Sequence, residues 1–149
     1  MAKFAVIGSG TVGTNKTVVA IAQPASSLKG RAKVFYAAWS SAATADNSVD
    51  MILARLTTVG TSTAVTPLPF DPADSAAILL GGSNHSAEPT YTAGGTLLTI
   101  GGHQRAGNAW YAPPGGELII PATASNGIGM KSNSASATFV AQGTIHYEE

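Results

Sequence analysis

The C-terminal segment of the chain alternates between two kinds of side chain with a period of two. From Ser136 to Glu148, apolar or small residues stand at every second position, and polar residues stand between them, with the exception of Val140. A period of two is typical of a half-buried β-strand, because successive side chains of a strand point to opposite faces. The segment therefore predicts one strand, or a pair of strands that bend at Gly143.

Shorter apolar runs elsewhere indicate further strands. The run from Arg31 to Trp39 is rich in β-formers, with Val34 and Tyr36 expected on one face and Phe35 and Trp39 on the other. Gly-rich and Pro-rich turns separate the runs, so the pattern predicts an all-β protein, a single β-sandwich or jelly-roll-like domain over residues 1–149. The remaining runs are Thr17 to Ala22, Ala76 to Leu80, Leu97 to Ile100, Ala109 to Ala112 and Glu117 to Pro121.

Two segments are less clear. The stretch NSVDMILARL, residues 47–56, fits a helical template through Val49, Ile52, Leu53 and Leu56, but the β-like residues that follow it favour a strand. The stretch from Gly60 to Asp74 contains three prolines and is predicted to be the longest loop.

Glycines at positions 8, 10 and 13 have the spacing G-x-G-x-x-G of the dinucleotide-binding fingerprint. That fingerprint requires a helix directly after the third glycine, because the helix N-terminus faces the pyrophosphate. The chain continues instead with TNKTVVAIA, whose β-branched residues start a helix poorly, and no acidic residue precedes Asp46. We therefore expect no cofactor here, and we interpret the glycines as a turn after a short strand, Phe4 to Ile7.

Charged residues make up only 11% of the chain, and the formal net charge is zero. A surface of this kind favours self-association. The N-terminal third is basic, which indicates an extended N-terminal arm over residues 1–16 for an acidic partner, or internal neutralisation. Its charges are too few to indicate nucleic acid, and no stretch approaches the ~20 apolar residues of a membrane span. The basic residues before Asp46 are Lys3, Lys16, Lys29, Arg31 and Lys33.

No residue pattern predicts catalysis. Cysteine is absent, and no serine stands in a G-x-S-x-G elbow. His85, Glu88 and His103, or His146 with Glu148, could supply metal ligands, but their spacing is not that of a metal site. We expect no catalytic residue, no cofactor and no metal.

The aromatic residues lie mostly in strand-like runs. Tyr36, Trp39, Trp110 and Tyr111 are interpreted as anchors of the core or of an interface, in preference to a sugar-binding platform.

Four segments carry a resemblance to a known family. They are ARLTTVGTSTAVTPLPFDPADSAA (Ala54 to Ala77), EPTYTAGGTL (Glu88 to Leu97), HQRAGNAWYAPPGGELIIPATASNGIGM (His103 to Met130) and the closing GTIHYEE. Together they resemble the small head decoration, or cement, proteins of tailed bacteriophages, over about two-thirds of the chain.

The resemblance implies a non-enzymatic structural protein on the capsid exterior of a virion, made in the bacterial cytoplasm. Its partners would be the major capsid protein and further copies of itself, as a trimer in preference to a dimer. A tail or fibre protein for host-surface attachment, with Trp110 and Tyr111 in a receptor patch, is the alternative. The contact residues expected from the N-terminal arm and the Pro-rich loop are Lys3, Phe4, Lys16, Thr66, Pro67, Pro69 and Phe70.

Overall fold

The computed structural model describes residues 1–26, 30–133 and 138–149, and these residues form twelve β-strands. The strands are β1 (Lys3–Val12), β2 (Thr17–Ala22), β3 (Ala32–Ser41), β4 (Ser48–Thr58), β5 (Thr61–Val65), β6 (Leu68–Pro69), β7 (Leu80–Ala87), β8 (Thr90–His103), β9 (Asn108–Tyr111), β10 (Leu118–Ile120), β11 (Gly127–Ser132) and β12 (Phe139–Glu148).

The strands pair into two antiparallel sheets. Sheet I has the order β10-β3-β12-β1-β6, with β9 also paired to β3, and sheet II has the order β5-β7-β2-β11-β4-β8. Their inner faces share one buried cluster, to which sheet I contributes Val6 and Ile145 and sheet II contributes Val19 and Met130. Two sheets that enclose a common apolar layer are a β-sandwich. The predicted all-β sandwich class is therefore confirmed.

The C-terminal alternation corresponds to β12, which is one continuous strand and does not bend into two at Gly143. Residues 136 and 137 of the predicted segment lie outside the described residues. The ambiguous stretch that contains Val49 and Leu56 lies in β4, which confirms the strand interpretation. Strands also occupy all or part of the predicted runs that begin at Thr17, Arg31, Leu97, Ala109 and Glu117.

Residues 3–12 of the predicted N-terminal arm form a strand of sheet I. β1 pairs with β12 without interruption from Lys3 to Val12, and Phe4, Val6 and Val12 are buried. The reason is that every second residue from Phe4 to Val12 is apolar or glycine, which gives β1 one inward face throughout. The fingerprint glycines 8 and 10 therefore lie within the strand, and the chain turns only after Val12.

Gly8 allows the two sheets to approach each other closely. It is the register partner of Gly143 in β12, so two glycines stand side by side on the inner face of sheet I. A Cβ on Gly8 would lie 2.6 Å from the Cβ of Ser83, and a Cβ on Gly143 would lie 2.7 Å from a methyl carbon of Val19. Real Cβ atoms do not approach so closely, so both positions require glycine for packing.

Other predictions of local structure are corrected. The expected loop from Gly60 to Asp74 contains β5 and β6. The expected strand from Ala76 to Leu80 is irregular until Leu80, where β7 begins. The loop was predicted from its proline content, and the strand from its apolar content. In the structure, pairing with a neighbouring strand decides where the chain is extended, and small polar residues such as Thr63 and Ser83 form such pairs.

Candidate functional site

A β-bulge in sheet I brings two aromatic side chains to its outer face. Val34 pairs with Tyr147 and Tyr36 pairs with His146, so Phe35 is an extra residue in β3. Val34 and Ala37 are buried, whereas Phe35 and Tyr36 are both partly exposed and both contact the imidazole of His146. The expectation that Tyr36 shares a face with Val34, and Phe35 with Trp39, is therefore wrong, because the bulge shifts the alternation by one residue.

Five rings form what we call the aromatic cluster, namely Phe35, Tyr36, Phe70, Tyr111 and His146. The centroid of His146 lies 4.6 Å from that of Tyr36 and 4.9 Å from that of Phe70. The ring centroids of Tyr36 and Tyr111 lie 4.7 Å apart, and those of Phe35 and Phe70 lie 6.2 Å apart. These separations and the tilted or edge-on orientations are favourable for aromatic pairs.

Strand register explains why the cluster crosses the whole sheet. Leu68, Ala5, His146, Tyr36 and Tyr111 are successive register partners on β6, β1, β12, β3 and β9. Neighbouring strands are about 4.8 Å apart, so side chains in one such row are in contact. The row therefore runs from one edge of sheet I to the other.

Phe70 is held in place directly after β6. Its N–H donates a hydrogen bond to the carbonyl oxygen of Lys3, with 2.8 Å between the two atoms. The ammonium group of Lys3 lies 5.5 Å from the centroid of Phe35, within the range of a cation–π contact. The end of β1 therefore fixes one side of the cluster.

The surface around the cluster is mostly apolar, with the Lys3 ammonium beside Phe35. Tyr111 is 72% exposed, Leu68 63% and Phe70 51%. The carboxylate of Glu148 lies 3.2 Å from the ammonium of Lys33, so these two charges on the sheet neutralise each other. Contiguous exposed apolar area of this kind marks a binding surface more often than a plain solvated face.

Burial also keeps the cluster neutral. Partial burial lowers the pKa of His146, because the charged imidazolium is less well solvated there. Burial together with the neighbouring Tyr111 raises the pKa of Tyr36. Both shifts favour the uncharged form, so the surface is suited to an apolar or aromatic contact.

The predicted contact residues are divided by the fold. Lys3, Pro69 and Phe70 lie together at the cluster. Phe4 is 1% exposed and stacks on Tyr147 inside the sandwich, so the prediction that it contacts a partner is wrong. Lys16 lies in the turn before β2, where its ammonium is 3.5 Å from the carboxylate of Glu88.

The other two predicted contact residues, Thr66 and Pro67, line a separate cavity of about 380 Å³. Its walls are mostly apolar and include Leu79 and Leu80. Lys29, one of the basic residues of the N-terminal third, lies outside the described residues.

The four aromatic residues singled out in the sequence have different roles. Trp39 is buried and its Nε1–H donates to the carbonyl oxygen of Ile100, 3.1 Å away, so it is a core anchor. Trp110 is half-buried against the same core. Tyr36 and Tyr111 belong to the aromatic cluster. Phe35 and His146 also belong to the aromatic cluster, but the sequence did not predict them as contact residues. Apart from the ordinary alternation of a strand, no sequence pattern marks these two positions.

A polar group on sheet II is already occupied by partners within the chain. The N–H of Thr17 donates to the carboxylate of Glu88 at 2.9 Å, and the hydroxyls of Thr17 and Tyr91 lie 2.7 Å apart. The ammonium of Lys131 lies 4.5 Å from the centroid of the Tyr91 ring. Burial raises the pKa of Tyr91 strongly. These contacts tie β2, β8 and β11 together and are structural.

Candidate metal ligands do not converge in the described part of the chain. Residues 1–26, 30–133 and 138–149 contain no group of three or more His, Asp or Glu side chains placed to hold an ion. The Nε2 atom of His103 lies 3.7 Å from the Oδ1 atom of Asp46. The same Oδ1 atom lies 3.0 Å from the Nε atom of Arg105.

The chain matches no protein-family model, no curated protein and no solved structure. The resemblance to decoration proteins therefore stays a prediction. Over the described ranges, the chain has no helix with the length and apolar content needed to cross a membrane.

Proposed function

We propose that this chain is a non-enzymatic structural protein of a tailed-phage virion, a decoration protein that binds the assembled capsid lattice. The observation that supports the proposal best is the aromatic cluster on the outer face of sheet I. It offers a mostly apolar surface with few charges on a paired sheet, in a chain with zero formal net charge. An interface core needs aromatic anchors and few charges, and the cluster has both.

The mechanism would be thermodynamic. A protein that binds only the assembled lattice stabilises that lattice by mass action, by about 2.7 kcal/mol per site at a concentration one hundred times the dissociation constant. Catalytic groups are not needed for this role. The rigid sandwich limits the conformational entropy lost when it binds.

A substitution at Tyr111 tests whether the aromatic cluster binds the capsid. Tyr111 is 72% exposed, so removal of its side chain should leave the fold intact. We expect Tyr111→Ala to weaken binding to purified capsids at least tenfold, as loss of an interface anchor does. Leu80→Ala is the matched control, because Leu80 is a large apolar residue, 53% exposed, on sheet II. Equal binding by the wild type and Tyr111→Ala would reject this surface.

Quantitative mass spectrometry of purified particles tests the virion assignment separately. Decoration requires on the order of hundreds of copies per particle, since binding is repeated over the lattice. Absence of the protein from particles would overturn the proposal.

Attachment to a host surface by a tail or fibre protein is the second candidate. It is favoured by the tilted Tyr36–Tyr111 pair, whose outer ring is open for stacking on a sugar. A few copies at one vertex, together with loss of host-polysaccharide binding in Tyr111→Ala, would support it over decoration.

A further inference from the structure

One edge of sheet I is only partly covered. Among the described residues, β1 pairs on one side with β12 along its whole length, and on the other side with β6 at Phe4 and Ala5 alone. From Ile7 to Val12 the second side of β1 has no strand beside it in this part of the chain.

The hydrogen bonds at the N-terminal end of β1 show which residues face that side. Ala2 exchanges two backbone hydrogen bonds with Glu149, each 3.1 Å long, on the β12 side, whereas the carbonyl of Lys3 accepts from Phe70 on the β6 side. The N–H and C=O of one residue in a strand point to the same side, and the side alternates along the strand. Ile7, Ser9 and Thr11 therefore direct their N–H and C=O groups to the uncovered edge.

Sheet II extends beneath this uncovered edge. Ser9, Gly10 and Thr11 of β1 line a cavity of about 400 Å³ together with Thr63 of β5 and with Ser83 and Asn84 of β7. The cavity is a slot with the β1 edge and Val140 of β12 on one side and sheet II as its floor. β6 covers the same side of β1 at Phe4 and Ala5.

The slot lacks the features that protect natural edges. No charged residue and no proline occurs from Phe4 to Thr14, and Ile7 is 55% exposed on the outer face beside the edge. Natural proteins cover or charge an edge that is not meant to pair. The floor residues Thr63, Ser83 and Asn84 are small or polar and uncharged, so a charged strand would gain no partner there.

A second copy of the chain cannot use the slot through its own β1. Antiparallel pairing of two β1 strands would place both sheets II on the same side, and each sheet II already extends beneath its β1 edge. The two layers would occupy the same space. The slot suits a single extended segment that has no second layer of its own.

We propose that the β1 edge from Ile7 to Thr11 binds an extended, uncharged segment of another protein by addition of a β-strand. Backbone groups of Ile7, Ser9 and Thr11 would pair with the segment, whose inward side chains would be small or hydroxylated to fit Thr63 and Ser83. Its outward apolar side chains would contact Ile7. The inference is independent of the proposed function, because it rests on the edge alone.

Amide hydrogen exchange followed by NMR tests the open edge in the protein alone. The amides of Ile7, Ser9 and Thr11 should exchange at least tenfold faster than those of Val6, Gly8 and Gly10, which face β12. Equal protection of the two sets would overturn the proposal.

Binding is tested with a six-residue peptide of alternating serine and valine, acetylated and amidated, that carries a glycine-lysine solubility tail. We expect it to slow exchange at Ile7, Ser9 and Thr11 selectively. A peptide of the same sequence with N-methylated pairing amides should have no effect, because it cannot donate to the edge. Equal effects of the two peptides, or no effect of either at millimolar concentration, would refute strand addition.

Thr63→Lys places a charge at the floor of the slot and should abolish the peptide effect without unfolding the protein, since Thr63 is exposed on β5, an edge strand of sheet II. Thr99→Lys is the matched control, because Thr99 is exposed on β8, an edge strand of sheet II. If Thr63→Lys binds the peptide as the wild type does, the slot is not the site.

Discussion

Tyr36 and His146 are register partners in neighbouring strands, and their ring centroids lie 4.6 Å apart with the rings inclined at 33°. The contact depends on the bulge at Phe35, which leaves both neighbouring aromatic residues of β3 on the outer face. His146 is thereby surrounded by Phe35, Tyr36 and Phe70 and is shielded from water on three sides. The shielding makes the stability of the cluster sensitive to protonation.

We expect the free energy of unfolding to fall as the pH is lowered from 7.5 to 5.5. Burial lowers the pKa of His146 and also that of His85 below the ordinary value of 6.5. The unfolded chain then binds more protons than the folded chain below about pH 6.5, so acid favours unfolding until the lower folded pKa is passed. Urea denaturation at three pH values measures the effect.

His146→Gln should reduce this loss of stability, and the double variant with His85→Gln should reduce it further. His103→Gln is the control for removal of a histidine from the surface, because His103 lies beside the exposed ion pair of Asp46 and Arg105. A double variant that loses as much stability as the wild type would show that other groups govern the pH dependence.

Alanine at Gly8 or at Gly143 should destabilise the protein by about 1–3 kcal/mol, because each new methyl group overfills the core. The Cβ at position 8 would meet Ser83 and Val19, and the Cβ at position 143 would meet Val19 and Met130. Since Val19 is common to both, the two costs should not add. Chemical denaturation measures each variant.

Gly13→Ala is the matched control for the glycine variants. Its Cβ would have the Oγ1 of Thr138 as nearest neighbour, at an ordinary 3.8 Å, so we expect a change within about 0.5 kcal/mol. If Gly8→Ala is as stable as Gly13→Ala, the close approach of the sheets does not depend on glycine.

Side-chain alternation predicted the strands that have one clearly apolar face. β12 is of this kind, and β4 could be chosen over a helix because β-formers continue beyond it. β2 was predicted differently, as a short apolar run, and it is buried at every position. β7 and β11 were missed, because their sequences, LGGSNHSA and GIGMKS, are rich in glycine and small polar residues. Such strands form because neighbouring strands and the opposite sheet pack closely against them. The sequence of one segment does not show which strands will lie beside it, so these strands could not be predicted locally.

The candidate site was predictable only in part. Lys3, Pro69 and Phe70 were expected at a contact surface, but on an arm and a loop, whereas they belong to the β1–β6 edge of sheet I. The aromatic cluster itself depends on the bulge, and adjacent aromatic residues in a strand are expected on opposite faces. A bulge is set by pairing with a distant strand, in this case β12, so local sequence could not reveal it.

Trp39→Phe should lower the free energy of unfolding by about 2–3 kcal/mol. The substitution removes the hydrogen bond from the indole Nε1 to the carbonyl of Ile100, which joins sheet I to sheet II, and leaves a small cavity. Trp110→Phe is the comparison. Because Trp110 is only half-buried, this substitution should lower the free energy of unfolding by less. In the wild type, the Trp39 indole N–H should exchange slowly. Rapid exchange, or equal stability of the two variants, would contradict the inter-sheet bond.

Glu149→Ala should destabilise the protein by about 1–3 kcal/mol, because one buried and one partly buried N–H donor would lose their acceptor. One carboxylate oxygen of Glu149 accepts from the N–H of Ile78 at 2.7 Å, and the other accepts from the N–H of Leu79 at 3.2 Å. Glu149 is 8% exposed, so water cannot readily replace it. Thermal unfolding and exchange of the Ile78 and Leu79 amides measure the loss.

Glu148→Ala separates this effect from the general loss of a carboxylate near the same position. Glu148 pairs with Lys33 at 3.2 Å on the outer face of sheet I, and a partly exposed ion pair contributes about 1 kcal/mol or less. Glu149→Gln keeps one oxygen acceptor and should lie between the wild type and Glu149→Ala. From the most to the least stable, the order should therefore be wild type, Glu148→Ala, Glu149→Gln and Glu149→Ala. If Glu149→Ala is no less stable than Glu148→Ala, the segment before β7 is held by its apolar contacts and not by the Glu149 carboxylate.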